Sequence, residues 1–399
     1  MATTHLATST DVPALARLQQ RSLIIAVLGL GAGAIGGWMD HDQFFRSWLI
    51  GFLFCVGLSM GSLGLLMLQH MSGGQWGMVG RRVFEAGSRN LPLVVLMFIP
   101  IIFGLHSLYP WARPDVVAGD AILQMKAPYL NVKFFIARAV LYFAVWLLMS
   151  FLLNKWSAAQ DRGEVAIDPG DTVRFRTVSA PGILVYVILM TFASVDWVMS
   201  LDPHWYSTIF GFILIAGQGL GAFALVIAVL ASIRDSEPMR SYLNEGHFLD
   251  LGKLLLAFVM LWAYFSFSQF LIIWSGNLPE EIPFFLERLR HGWQYVSLLL
   301  VIGHFALPFA LLLSRKLKKQ SGRLALVAII VLFMRYVDLL WLVEPMFEHH
   351  GFPIHWMDVA LPAGLTATWF FLFARNLSSR PLLPLNDPYL KEAFAHDAH

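Results

Sequence analysis

The chain has 399 residues, of which 57% are hydrophobic and only 14% charged, and its mean hydropathy is +0.64. A water-soluble fold of this length has too little interior to hide so much apolar surface. The formal charge of +2 offers no bulk attraction for nucleic acid, and the single cysteine, Cys55, excludes an internal disulfide and any thiolate-built iron–sulfur or zinc centre.

The apolar residues gather in blocks of about 20, the length a helix needs to cross ~30 Å of hydrocarbon. They predict ten spans, at 22–38, 47–69, 91–109, 133–154, 178–200, 206–232, 248–274, 292–313, 321–343 and 354–375. The expected fold class is an all-α polytopic membrane protein. Residues 1–21 are polar, and no small-residue cleavage pattern precedes Asp40, so the first span is expected to be retained rather than removed as a signal peptide. Of the 28 basic residues, twenty fall on the side of the N-terminus and six on the other, with Arg138 and Arg335 inside spans. By the positive-inside rule both termini are expected to be cytoplasmic.

Gly31-Ala-Gly33-Ala-Ile-Gly36 matches a dinucleotide fingerprint by letter. No strand precedes it and it lies within a span, so helix packing through Gly29, Gly33 and Gly37 explains it better. The stretch Ser47–Gly61 aligns without gaps on Ser207–Gly221, with Gly51, Gly57 and Gly61 falling on Gly211, Gly217 and Gly221. Small-residue spacing recurs in any packed membrane helix; the alternative is a duplication in which spans 2–5 and 6–9 form two related four-helix bundles. Four spans is an even number, so such repeats are parallel. The predicted organisation is an N-terminal cytoplasmic segment (1–21), a first span and outer link (22–46), two bundles (47–200 and 201–343), an outer link with the tenth span (344–375) and a cytoplasmic tail (376–399). Residues 70–90 set Trp76, Val79, Val83 and Phe84 among Arg81, Arg82 and Glu85, a pattern suited to the membrane interface.

An intrinsic haem needs two histidines level on different helices, and His70, His106 and His304 are predicted at different depths. Charges inside spans are the informative set, because each costs at least ~2.5–3.5 kcal/mol at the bilayer centre and persists when paired or functional. At about 1.5 Å per residue, Asp196 lies about 10 Å outward of its span's midpoint, Asp338 and His106 about 9 Å, Arg138 about 8 Å and Arg335 about 4–5 Å. These five groups therefore fall in one outer layer, and Arg335 and Asp338 share a helical face. Two readings stand: a buried ion-pair network joining the bundles, or a polar pocket and proton path continued outward by Asp202, His204, Glu344, Glu348, His349 and His350. Toward the cytoplasm His247, Asp250 and Lys253, with Tyr264, Ser266 and Ser268 higher up, form a candidate inner half-route. Trp197, Trp205 and Tyr206 suit an interfacial aromatic belt.

The ten spans with a repeated bundle resemble the NrfD/PsrC-type membrane subunits of respiratory oxidoreductases. The segment SVDWVMSLDPHWYSTIFG more specifically resembles the ActF type, the second quinone-binding subunit of alternative complex III (quinol:cytochrome c oxidoreductase). The resemblance covers roughly 20–375 and implies a bacterial inner-membrane complex that oxidises quinol and passes electrons onward. It implies as partners an ActC-like paralogous membrane subunit, an iron–sulfur subunit, c-type cytochrome subunits and a terminal oxidase. It places the c-type haem and iron–sulfur clusters on those partners, and leaves quinone as the candidate ligand of this chain. In that family the ActC type is the better candidate for quinol oxidation, so a non-catalytic subunit that supports assembly and proton transfer is expected here. Asp196 and the Asp202–His204 link are carried by the family segment; His106, Arg138, Arg335 and Asp338 rest on depth alone. Two other function classes fit the same residues: a stand-alone proton- or cation-coupled secondary transporter and a purely architectural scaffold.

Overall fold

The computed structural model describes residues 12–163, 173–347, 355–384 and 386–390. Among them every regular element is helical. Ten helices are long and apolar enough to cross a membrane: α1 (Pro13–Met39), α2 (His41–Ser72), α3 (Gln75–Phe103), α4 (Val132–Asp161), α5 (Val173–Leu201), α6 (Phe210–Ile233), α7 (Glu245–Gly276), α8 (Trp293–Leu313), α9 (Ser321–Met346) and α10 (Trp356–Ser378). The chain is a multi-pass helical membrane protein. In hydrocarbon each backbone amide must bond within its own segment, and a continuous helix does that.

Hydropathy misplaced some boundaries. α1 starts at Pro13, where a proline early in the first turn needs no amide partner, and α2 starts at His41, capped by the Asp40 carboxylate accepting the Gln43 N–H at 3.0 Å. The larger correction concerns residues 70–90. Instead of lying on the interface, the helix Gln75–Ser88 is buried over every residue from Gly77 to Ser88, and a turn at Arg89 and Asn90 leads it into Leu91–Phe103. Its charged face points inward because carboxylates from other segments meet it there.

α2 packs on α3 and α5, and α4 on α3 and α5; α6 packs on α7 and α9, and α8 on α7 and α9. The two sets of four thus share one neighbour pattern. The repeated stretches found in the sequence are the two central helices, α2 and α6, which pack on each other and are the most buried of the ten. Gly61 makes that crossing close: a Cβ there would sit 2.1 Å from the Gln218 carbonyl oxygen. The matched glycines serve different neighbours, since Gly51 faces Pro362 and Leu365 of α10, whereas Gly211 faces Thr191 of α5. α1 lies outside the repeats and packs along α10, where Gly29 and Gly364 bring the two backbones into contact.

Contacts between links assign them to two faces. Arg82 pairs with Asp161, Arg81 with Asp387 and Lys319 with Glu245, so the basic links share one face. On the opposite face the Lys126 ammonium donates to the Pro203 carbonyl at 2.6 Å. There Arg288 donates to the Trp341 and Leu342 carbonyls at 3.1 and 2.9 Å, a cation on the C-terminal end of α9. Burial lowers the Arg288 pKa to about 9, which leaves it protonated at neutral pH.

Candidate functional site

Asp196 occupies the last regular turn of α5 and is 1% exposed. Arg138, from the second turn of α4, meets it in a fork: Nε donates to Oδ2 at 2.8 Å and Nη2 to Oδ1 at 2.7 Å. Tyr142, four residues further along the same face, donates its hydroxyl to Oδ2 at 2.8 Å. The third guanidinium nitrogen, Nη1, donates to the Tyr129 carbonyl at 2.9 Å, and the Tyr129 and Phe134 rings lie 3.8 and 4.4 Å from the guanidinium carbon. A buried ion pair withstands its desolvation cost when bidentate geometry and further hydrogen bonds satisfy both partners. Here they do.

Beside this pair is a pocket of about 440 Å³ bordered by Met125, Lys126, Tyr129, Met199, Trp205 and Tyr206. The Trp205 indole nitrogen, on one of its residues, is a buried donor without a partner, and the Tyr129 hydroxyl, also buried, lies near Asp196 and Tyr142. An orphan such as the Trp205 indole is uncommon and calls for an explanation. Burial first, and then the Asp196 charge, push the Tyr129 hydroxyl up to about 12, so it remains a donor. The pocket's rim is tied by links from two sides. His204 Nε2 and Asp120 Oδ2 are 2.6 Å apart, and the Lys126–Pro203 bond lies alongside. The Leu123 amide first, and the His204 ring with it, hold the Asp120 carboxyl below its usual range. Asp202 accepts the His204 amide at 3.1 Å.

Arg335 and Asp338 are not part of this cluster. They pair with each other on α9, fully buried, and the Trp262 indole of α7 donates to Asp338 at 3.2 Å. The guanidinium fills the space above Gly217, where a Cβ would come 2.4 Å from its central carbon. His304 is buried beside the Trp262 ring on a π-helical turn, Leu300–Ala306, and neither of its ring nitrogens has a hydrogen-bond partner. The charges that depth alone grouped into one layer therefore form two separate ion pairs, one in each set of four helices.

The two sites occupy matched positions. Val195-Asp-Trp-Val-Met-Ser-Leu-Asp-Pro203 aligns with Val337-Asp-Leu-Leu-Trp-Leu-Val-Glu-Pro345, which sets Asp196 on Asp338 and Asp202 on Glu344. This second repeat motif, closing α5 and α9, escaped the sequence reading because the loops between the two motifs differ in length. Glu344 is buried on the short turn that ends α9.

The remaining candidates disperse. His106 is exposed on a short helix after α3, and His70 stacks on Phe175 at 4.6 Å. Asp250 and Lys253 form an exposed pair, His247 closes a capping box with Asn244 at the start of α7, and Tyr264 is 64% exposed. These inner residues do not gather into one site. Glu348, His349 and His350 lie outside the described residues. Among the described residues no cluster of three His, Cys, Asp or Glu side chains is arranged to hold a metal.

Sequence reasoning also missed a buried network at the basic face. Glu85 is met by Arg81 at 3.0 Å, Arg82 at 2.6 Å and Arg380 at 3.5 Å, and it accepts from the Ser157 hydroxyl at 2.6 Å. Asp161 pairs with Arg82, and Asp387 with Arg81 at 2.6 Å, so three cations balance three carboxylates. On the opposite face Asp358 accepts from Gln43 at 2.7 Å and Ser47 at 2.6 Å. The spacing Arg-Arg-x-x-Glu was the available signal for the first of these. No family model matches the chain, and no curated protein matches it.

Proposed function

We propose that this chain is a non-catalytic integral membrane subunit of a quinol-oxidising electron-transfer complex, of the ActF type in alternative complex III. In this reading it lies in a bacterial inner membrane with both termini cytoplasmic. An ActC-like subunit, an iron–sulfur subunit and c-type cytochromes carry the redox centres, and a terminal oxidase accepts the electrons. The observation that supports it is the pocket of about 440 Å³ beside the Arg138–Asp196 pair, apolar in its walls and bordered by two buried donors, the Trp205 indole and the Tyr129 hydroxyl. A quinone head needs an apolar slot and donors for its carbonyl oxygens. The Tyr129 hydroxyl and Trp205 indole supply the donors and Met125 and Met199 the walls, while Tyr142 and Arg138 hold Asp196 beside them on the candidate proton path.

The test is mild solubilisation of the native membrane, capture of this chain, and a record of its haem spectrum, subunits and bound quinone. Co-purified c-type haem and iron–sulfur subunits with quinol oxidation are expected, and Asp196→Asn is expected to lower turnover or coupled proton movement while assembly persists. A lone chain without haem sinks the proposal, and cation or substrate uptake by that chain in liposomes then makes it a transporter. An Asp196→Asn complex that only fails to assemble leaves an architectural scaffold.

A further inference from the structure

The link between α8 and α9 reads Arg315-Lys-Leu-Lys-Lys-Gln-Ser-Gly-Arg323, five cations in nine residues with no carboxylate among them. Its short helix, Arg315–Lys319, is capped by the Ser314 hydroxyl and packs against α7 and α9. The carboxylates nearby are already engaged: Asp250 with Lys253 at 2.8 Å and Glu245 with Lys319 at 3.3 Å. Lys318 is 7% exposed, and its stem lies on Gly252, where a Cβ would come 2.8 Å from Lys318 Cγ. It has no ion-pair partner among the described residues. Burial and the neighbouring Lys253 charge lower its pKa, the direction expected of a cation crowded by another and lacking an anion. Arg315, Lys316 and Arg323 stand exposed around it.

The depth of this cluster identifies its counter-ion. It joins the ends of two membrane helices, and Leu313, just before it, is 60% exposed on the apolar side. The cations are therefore at headgroup level, with acyl-chain surface beneath them, where basic residues attract anionic lipid. We infer that the α8–α9 link, with Lys318 seated against Gly252 and Arg315, Lys316 and Arg323 around it, binds the phosphate of an anionic phospholipid. The lipid neutralises the excess charge and anchors α7, α8 and α9 at one end. This does not depend on the quinol reading.

The full chain, in nanodiscs of phosphatidylcholine with or without phosphatidylglycerol, provides the test. Native mass spectrometry counts retained phosphatidylglycerol, and thermal unfolding is followed in parallel. Phosphatidylglycerol is expected to be retained and to raise the unfolding temperature. Each removed charge in Arg315→Gln, Lys316→Gln and Arg323→Gln, all exposed positions, is expected to weaken retention about five-fold. Lys318→Met keeps the stem on Gly252 and is expected to lose the phosphatidylglycerol effect while folding in phosphatidylcholine. Equal retention by the native chain and the triple glutamine variant overturns the inference. So does inorganic phosphate reproducing the stabilisation in phosphatidylcholine, since that makes the ligand a free anion.

Discussion

Asp196 and Asp338 occupy the same place in two related bundles, yet their charges are balanced by different means. Asp196 takes its arginine from a neighbouring helix, α4, and lies beside a pocket; Asp338 takes its arginine from its own helix and is enclosed by Trp262 and α6. A pair formed between helices fixes how α4 and α5 sit against each other. A pair formed within one helix needs no neighbour for its geometry and leaves that neighbour free to close the site. The two sets of four helices thus hold one carboxylate site beside a pocket, the open site, and one closed site.

Removing one partner of a buried pair tests this difference most severely, because the other charge is stranded. Arg335→Met is expected to cost about 3–5 kcal/mol. Arg138→Met should fall at the lower end of that range, since the Tyr142 hydroxyl still donates to Asp196 at 2.8 Å, a shorter bond than the 3.2 Å one that Trp262 leaves to Asp338. Thermal unfolding in nanodiscs reads both, and equal losses would show that the remaining hydrogen bond does not relieve the stranded Asp196 charge. The double variant Arg138→Met/Asp196→Leu should recover much of the loss, because an apolar pair leaves no stranded charge.

Hydrogen bonds give the next contrast. Tyr142→Phe removes a 2.8 Å donor to Asp196 and should cost about 1.5–3 kcal/mol. Trp262→Phe removes the longer, 3.2 Å donor to Asp338 and should cost less through that bond, a difference resolved by the cycle with Asp338→Asn.

The matched glycines separate the bundles by shape. Gly217→Ala drives a methyl into the Arg335 guanidinium and should cost about 1–3 kcal/mol. Gly57→Ala meets only Gln218 Cγ at 3.7 Å, an ordinary contact, and should stay within about 0.5 kcal/mol of the native chain. Comparable losses at both positions would mean that the Arg335 site is no tighter than its counterpart.

The smallest effect belongs to the rim of the open site. Asp120 has a carboxyl pKa held below its unfolded value of 3.8, so its contribution is fully present above that value and is lost as pH falls through the lower folded one. Hydrogen-exchange protection at the Ile122 and Leu123 amides, which donate to Asp120 at 2.8 and 3.2 Å, should fall in that acid window, and Asp120→Asn should remove the pH dependence. Among the described residues the closed site has no such rim, and its neighbouring amides should show no matching change.

The sequence by itself determined the membrane class and the ten spans, and it showed the repeated glycine stretches whose central place the packing then revealed. Hydrocarbon imposes length and apolarity on each span separately, so those properties are written locally. It also marked Asp196 as a charge that needs a partner, because the cost of an unpaired carboxylate is independent of the fold. Only the tertiary structure decided that the partner is Arg138, that Gln75–Ser88 is buried rather than interfacial, and that Tyr264 points outward. Those outcomes depend on which helix faces lie together, and depth along one axis carries no information about rotation around it. The buried Arg81–Arg82–Glu85 network makes the point most clearly. Its balancing charges, Asp161, Arg380 and Asp387, come from segments far along the chain, and only folding brings them to one place.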